Sequence, residues 1–134
     1  MAEREYASVK DVAESLKFLK AGPREKIFFS PESTKAAIVT CGGLCPGLNV
    51  VVREIVMTLW HNYGVKEIYG IQWGYRGFYE KTKDENGKDS DFWLPLNPGN
   101  VSGIHNKGGT ILGSSRGGFD AIKICDELQK RGIN

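Results

Sequence analysis

The first periodic signal along the chain is Val12, Leu16 and Leu19, at helical spacing within residues 11–20 and closed by the glycine and proline of "GPRE". A short leading helix is expected there. It is followed by "KIFFSPEST", an extended, partly apolar lead-in that ends at Pro31. "KAAIVT" has a different pattern, a nearly continuous apolar run between Lys35 and a glycine pair. Continuous rather than alternating apolarity predicts a strand buried on both faces. After the glycines, Val51, Val52, Ile55, Val56, Leu59 and Trp60 form one broad helical stripe, with Arg53, Glu54 and Thr58 off it and Asn62 with Gly64 at its end.

"KEIYGIQW" supplies a second short strand through Ile68, Tyr69, Ile71 and Trp73, and Gly74 and Gly77 open a loop behind it. Strand, glycine turn, helix and strand make a β-α-β unit, whose right-handed crossover implies a parallel, Rossmann-like α/β sheet with flanking helices. "EKTKDENGKDSDFWLPLNPGN" reads as a polar, solvent-exposed hairpin insertion about Asn86-Gly87, and Pro95 demotes its "FWLPL" to an edge strand or a non-strand. "VSGIHNKGG" then predicts a short helix closed by Gly108, and "TILGSSR" another short strand. In the final stretch Phe119, Ile122, Cys125 and Leu128 share a helical face, Lys130 and Arg131 suit the C-terminal end, and Gly132 caps it.

Composition narrows the partners more than the fold. With 134 residues and 40% hydrophobic content the chain fits one modest domain. Its +2 formal charge is spread along the sequence without the basic block that nucleic-acid or lipid surfaces require, which leaves a small molecule as the expected partner. No apolar segment reaches the roughly 20 residues of a membrane span. The N-terminus carries both signs of charge and lacks a secretory apolar core, so a soluble, cytoplasmic protein is expected. Cys41, Cys45 and Cys125 form no C-x-x-C pair and lie near no histidine at ligand spacing, and they read as reduced thiols. Thiols near a helix N-terminus can also serve redox sensing.

Two stretches carry candidate chemistry. "CGGLCPGLNVVVREI" has the physical parts of a phosphate site: glycines admit a close approach of an anion to backbone N–H groups, and the following helix turns its positive dipole end toward the turn. It matches neither G-x-x-x-x-G-K-[ST] nor G-x-G-x-x-G, so a purely structural tight turn stays open. "GGTILGSSRGGFD" repeats the logic around Arg116, whose guanidinium suits bidentate phosphate contacts where ligands of open α/β sheets bind; the alternative is a solvated surface charge. His105 and His61 have no carboxylate or nucleophile placed to work with them. Asp120 most simply stabilises the start of the last helix. Trp73, Tyr75, Phe78 and Tyr79 either pack the core or line the crevice.

In order and spacing, "AAIVTCGGLCPGLNVVVREIV", "YGIQWGYRGFYE", "VSGIHNKGGTILGSSRGGFD" and "RGIN" resemble the N-terminal part of the phosphofructokinases, most closely the plant-type ATP-dependent ones. The resemblance runs from about residue 21 to the C-terminus. It implies a partial N-terminal portion of the phosphofructokinase fold, with residues 1–34 as a helical and extended lead-in and 35–134 as part of the ATP-binding domain. It further implies transfer of the γ-phosphoryl of ATP, with Mg2+, to the 1-hydroxyl of fructose 6-phosphate in glycolysis, in a cytoplasmic homo-oligomer that is a tetramer in the family. By motif position Gly43 looks like the glycine lying against the ATP phosphates, and Arg116 and Gly117 like the pair that also contacts ATP. Tyr75 occupies the loop bordering the nucleotide pocket, and Arg53 matches an arginine of an effector site in bacterial relatives.

The same resemblance places the magnesium-binding Gly-Gly-Asp-Gly segment after the strand that would follow "RGIN", and the catalytic aspartate further on, beyond Asn134. The sugar-phosphate arginines and the second domain are likewise expected outside these 134 residues. No catalytic or metal residue is therefore assigned here. A fragment or truncated product that binds nucleotide without turnover is expected. Pyrophosphate as donor, or a subunit-assembly role, are the alternatives.

Overall fold

The computed structural model describes residues 22, 24–83, 85 and 87–134. The helix expected over 11–20 lies outside the described residues. A one-turn 3-10 helix, Pro31–Ser33, leads into the sheet at the point where the lead-in is expected to end. Ile27, Phe28 and Phe29 remain open to solvent.

Strand β1 is Lys35–Val39, helix α1 is Leu48–Met57 and strand β2 is Glu67–Ile71. β1 and β2 pair in parallel from Lys35↔Glu67 to Val39↔Ile71, with α1 as the crossover. α1 runs on into a π-helical turn, Thr58–Tyr63, and stops at Gly64. Strands β3, Lys81–Lys83, and β4, Asp89–Asp91, form the polar hairpin as an antiparallel pair apart from the main sheet. β5, Trp93–Pro95, returns antiparallel to β2 and completes the order β1-β2-β5. The edge position suits Pro95, which has no N–H to give a further strand. Helix α2, Pro98–Val101, starts at an Asn97 capping box and is followed by a separate 3-10 turn, Ile104–Asn106, so "VSGIHNKGG" is not one helix. Helix α3, Ala121–Arg131, closes the fold.

Residues 110–116 correct the sequence reading, because they form no strand. Leu112 is fully buried as a plug, while Gly113 turns the backbone to a φ of 67°. The backbone of this stretch bonds to loops: the Trp73 N–H donates to the Leu112 carbonyl at 2.8 Å, and the Gly42 N–H to the Ser115 carbonyl at 3.1 Å. The third strand of the sheet is β5 instead.

Both faces of β1 and β2 are covered, as a continuous apolar run demands. Ala36, Ile38 and Ile68 face a cluster with Val52, Val56, Val101 and Leu112. Ala37, Val39 and Ile71 face Phe78, Trp93 and Ile124. The predicted helical stripes hold only in part. On α1, Val52 and Val56 are buried while Val51 and Ile55 stay exposed, and on α3 the inward residues are Ile124 and Leu128, with Ile122 and Cys125 outward and Phe119 exposed ahead of the helix. Ile124, Leu128 and Arg131 recur at helical spacing on one face of α3, where Arg131 stacks 4.2 Å over Trp93 and pairs with Asp91 at 2.7 Å. At its end Asn134 reaches the free edge of β1, its N–H donating to the Lys35 carbonyl at 3.2 Å.

Candidate functional site

The two glycine loops meet at the carboxyl ends of β1 and β2. Thr40, buried at the end of β1, donates its hydroxyl to the Gly113 carbonyl at 2.6 Å and lies 3.1 Å from the Thr110 hydroxyl. The Ser114 hydroxyl donates to the Gly42 carbonyl at 2.9 Å, so hydrogen bonds run both ways between the loops. Asn49, 2% exposed in the first turn of α1, donates to the Lys107 carbonyl at 3.0 Å and accepts the Ile111 N–H at 2.8 Å. It fixes where the second loop leaves the helix. Sequence reasoning assigned Asn49 no role; the available signal was an amide at the buried position i−3 from Val52.

Trp73 is the one non-glycine residue with positive φ among the described residues, at 63°. Such a conformation costs a bulky residue about 1–3 kcal/mol. The surroundings hold it: the Trp73 N–H is bound as above, its carbonyl accepts the Ser115 hydroxyl at 2.6 Å, and its ring lies against Gly113, where a Cβ would come within 2.7 Å of the indole. With Leu44, Gly109, Thr110 and Ser114 it lines a cleft of about 400 Å³ between the loops.

The first loop is the exposed partner, every residue of 41–47 being open to solvent. Gly42 and Gly47 adopt φ of 89° and 91°, Gly47 as the N-cap of α1. Gly43 differs. Its φ is not positive, and a Cβ there would meet only Arg116 Nη2, at an ordinary 3.7 Å. The fold therefore does not demand glycine at 43; a space is kept beside a guanidinium. Arg116 is exposed, and among the described residues no carboxylate pairs with it. Gly117 follows with φ of 76°. The structure thus brings Gly43 and Arg116 together, with Gly117 next in the chain. The first turn of α1, which directly follows this loop, carries N–H groups that have no intrahelical acceptor, the arrangement that attracts anions.

The remaining candidates separate. Phe78 belongs to the core and Tyr79 donates to the Gly118 carbonyl at 2.7 Å, whereas Trp73 is 55% exposed. The neighbouring Cys41 side chain holds the Tyr75 hydroxyl above its ordinary pKa of 10.0. All three cysteines are free and exposed. Arg53 is occupied by the Ser102 carbonyl at 3.3 Å and by Glu54. His61 and His105 are exposed. Asp120 caps α3, accepting the Lys123 N–H at 3.2 Å, and this bond holds its carboxyl below the ordinary value. Among the described residues no group of three or more His, Cys, Asp and Glu side chains is gathered. The cleft between the loops, lined by Leu44, Trp73, Gly109, Thr110 and Ser114, has no carboxylate to offer a magnesium ion, which takes carboxylates and phosphate oxygens. No helix among the described residues is long and apolar enough to cross a membrane.

Apolar grooves elsewhere, such as that between Phe28, Phe29, Leu59 and Tyr63, offer no comparable set of amides and cations. A doubly covered α/β sheet with two interlocked glycine loops at its carboxyl edge, one presenting an arginine that has no carboxylate partner among the described residues, defines the class: an open-sheet α/β protein with its candidate site at the carboxyl ends of the strands. Residues 35–134 match the family model described as Phosphofructokinase, and the chain belongs to that family. It is 52% identical over 93% of its length to ATP-dependent 6-phosphofructokinase 7 of Arabidopsis thaliana, and 52% identical over 86% to an ATP-dependent 6-phosphofructokinase of Borreliella burgdorferi. In each comparison it spans 24% of the relative. Among solved structures, phosphofructokinase of Pichia pastoris in the T-state superposes with a TM-score of 0.61 at 30% identity, over 75% of this chain and 10% of that one.

Proposed function

We propose that this chain supplies the phosphate-binding part of an ATP-dependent 6-phosphofructokinase, which transfers the γ-phosphoryl of ATP to fructose 6-phosphate. The observation that carries the reading is the open space at Gly43 beneath the Arg116 guanidinium, which has no carboxylate partner among the described residues. In this role Gly43 lets phosphate oxygens reach backbone N–H groups, while Arg116 makes charge-assisted contacts and Gly117 gives the loop room beside it. The curated relatives named ATP-dependent favour ATP over pyrophosphate as donor.

The domain assignment, 35–134 as the ATP-binding part and 1–34 as a lead-in, belongs to the same proposal. So do a homotetrameric whole protein and a cytoplasmic location, although one relative at 53% identity is named chloroplastic. Magnesium in such a reaction neutralises charge on the phosphates. The cleft lining has no carboxylate for it, and no step of this chain runs through the ion. These residues bind and orient the donor, and we place no catalytic base among them.

The expected outcome is nucleotide binding without turnover by the 134 residues alone. Titration calorimetry with ATP, beside a coupled assay with ATP, magnesium and fructose 6-phosphate, checks both halves. Turnover would overturn the assignment of the base elsewhere, and the absence of ATP binding would overturn the phosphate site. Activity with pyrophosphate and none with ATP would reverse the choice of donor.

A further inference from the structure

The outer side of α1 keeps an apolar strip that the described core leaves open. Val51 and Ile55 lie exposed along the helix, and with Leu59 they line a cavity of about 440 Å³. Leu59 also lines a second cavity, of about 210 Å³, whose other side is formed by Ile27, Phe28 and Phe29. The two share a wall, so the strip runs unbroken from the first turns of α1 to the residues that precede β1.

The far end of the strip adjoins a stretch that is fixed in place. The Ser30 carbonyl accepts the Ser33 N–H at 3.1 Å and the Thr34 hydroxyl at 2.7 Å, and Pro31 lies against Gly64, where an added Cβ would stand 3.7 Å from the proline ring. Phe28 is nonetheless 93% exposed, its ring edge to face with Phe29 at 4.9 Å between centroids. Contiguous apolar surface of this kind marks a docking face.

The chain itself supplies an occupant. Residues 11–20 lie outside the described residues, and their sequence sets Val12, Leu16 and Leu19 on one helical face with Glu14 and Lys17 opposite. A helix that short is marginal in water and forms where its apolar face is packed. Its reach and its length both fit the strip. Only seven residues separate Leu19 from Ile27, an extended span of at most about 28 Å, so the segment ends beside the second cavity. Val12 to Leu19 covers about 10 Å of helix, and Val51 to Leu59 about 12 Å. A tether this short holds the segment at millimolar effective concentration, ahead of any second copy of the chain in dilute solution.

We propose that residues 11–20 dock as an amphipathic helix on this strip, laying Val12, Leu16 and Leu19 over Ile55, Leu59 and Phe29, so that the lead-in clasps the outer side of α1 to the entry of β1. The inference stands on packing alone and does not depend on the phosphate reading of Gly43 and Arg116.

The test is amide hydrogen exchange, read by mass spectrometry, of the 134-residue chain beside a free peptide of residues 5–22. Amides of 11–20 are expected to exchange at least about tenfold more slowly in the chain than in the peptide. Ile55→Glu places a charge on the strip and Leu16→Glu one on the segment. Either should return that exchange to within about twofold of the peptide while β1 and β2 stay protected. Peptide-like exchange in the unsubstituted chain, or protection that survives either substitution, would overturn the proposal. Protection that grows with protein concentration, together with a dimer in size-exclusion chromatography, would give the strip to a second copy and overturn it equally. Should Ile55→Glu also expose β1 and β2, Leu16→Glu, outside the described core, decides alone.

Discussion

The first glycine loop, residues 41–47, and the second, residues 108–118, look alike in sequence and are held in opposite ways. Throughout the first loop the side chains are exposed, and Leu44, its large apolar residue, is 69% exposed. The second loop is clamped by Asn49 at Ile111, Trp73 at Leu112, Thr40 at Gly113 and Tyr79 at Gly118, with Leu112 fully buried among them. One loop is a rigid bracket that holds an arginine, and the other is a surface kept clear beside it. Glycine serves shape in the bracket and space at Gly43. A glycine-rich turn therefore signals a ligand only where the fold itself does not need the glycine.

The largest expected effect tests the bracket. Leu112→Ala empties a fully enclosed position between Gly70, Leu96 and Val101, and should destabilise the chain by about 3 kcal/mol. Leu44→Ala, the equivalent change in the exposed loop, should stay within about 0.5 kcal/mol. Denaturant unfolding of both variants reads the difference directly, and comparable losses would erase the distinction between the loops. Next comes the cation that the bracket presents. Arg116→Ala should weaken ATP binding by about 1.5–3 kcal/mol while leaving stability nearly unchanged, since the side chain is exposed and pairs with no carboxylate among the described residues. Unaltered affinity by calorimetry would return Arg116 to an ordinary surface charge.

A smaller effect probes the cleared space. Gly43→Ala puts a methyl at an ordinary contact distance from Arg116 Nη2, and the backbone there needs no positive φ. Stability should change by less than about 0.5 kcal/mol. ATP affinity should nevertheless fall by about tenfold, near 1.4 kcal/mol, because the methyl occupies the approach of a phosphate to the backbone. Loss of stability without loss of affinity would show that the glycine serves the fold after all.

The sequence made the bracket harder to read than the sheet. "KAAIVT" was legible because burial on both faces leaves a continuous apolar run, and "KEIYGIQW" because Ile68, Tyr69 and Ile71 favour a strand, and β1 and β2 follow them closely. The polar hairpin was legible from its turn chemistry. "TILGSSR" was misread as a strand because its buried leucine imitates a strand pattern, whereas its stability comes from long-range bonds to Trp73, Thr40 and Asn49 that no local periodicity encodes. The exposed side of α1 was misread for a related reason, in that hydrophobicity marks residues that can be covered without saying which of them are. For the site, the types and order of Gly43, Arg116 and Gly117 were visible. Tertiary packing alone decided that Arg116 stands over Gly43.

The smallest expected effect lies where the bracket passes into α3. Asp120 caps that helix through the Lys123 N–H and pairs with the Lys123 ammonium at 3.2 Å. The backbone hydrogen bond from Lys123 is the main cause that lowers its carboxyl pKa from 3.8, followed by the side-chain bond to the same residue. A group whose pKa is lower in the folded chain adds stability above its unfolded value, and that contribution is lost as pH falls through the folded value. Asp120→Asn keeps a capping oxygen and removes the charge. At neutral pH the unsubstituted chain should melt at a slightly higher temperature than the variant, and the gap should close as the pH drops below 3.8. Melting curves across that acid range decide the matter: a gap that persists at the lowest pH would mean that the capping geometry, rather than the carboxylate charge, fixes the junction between the bracket and its helix.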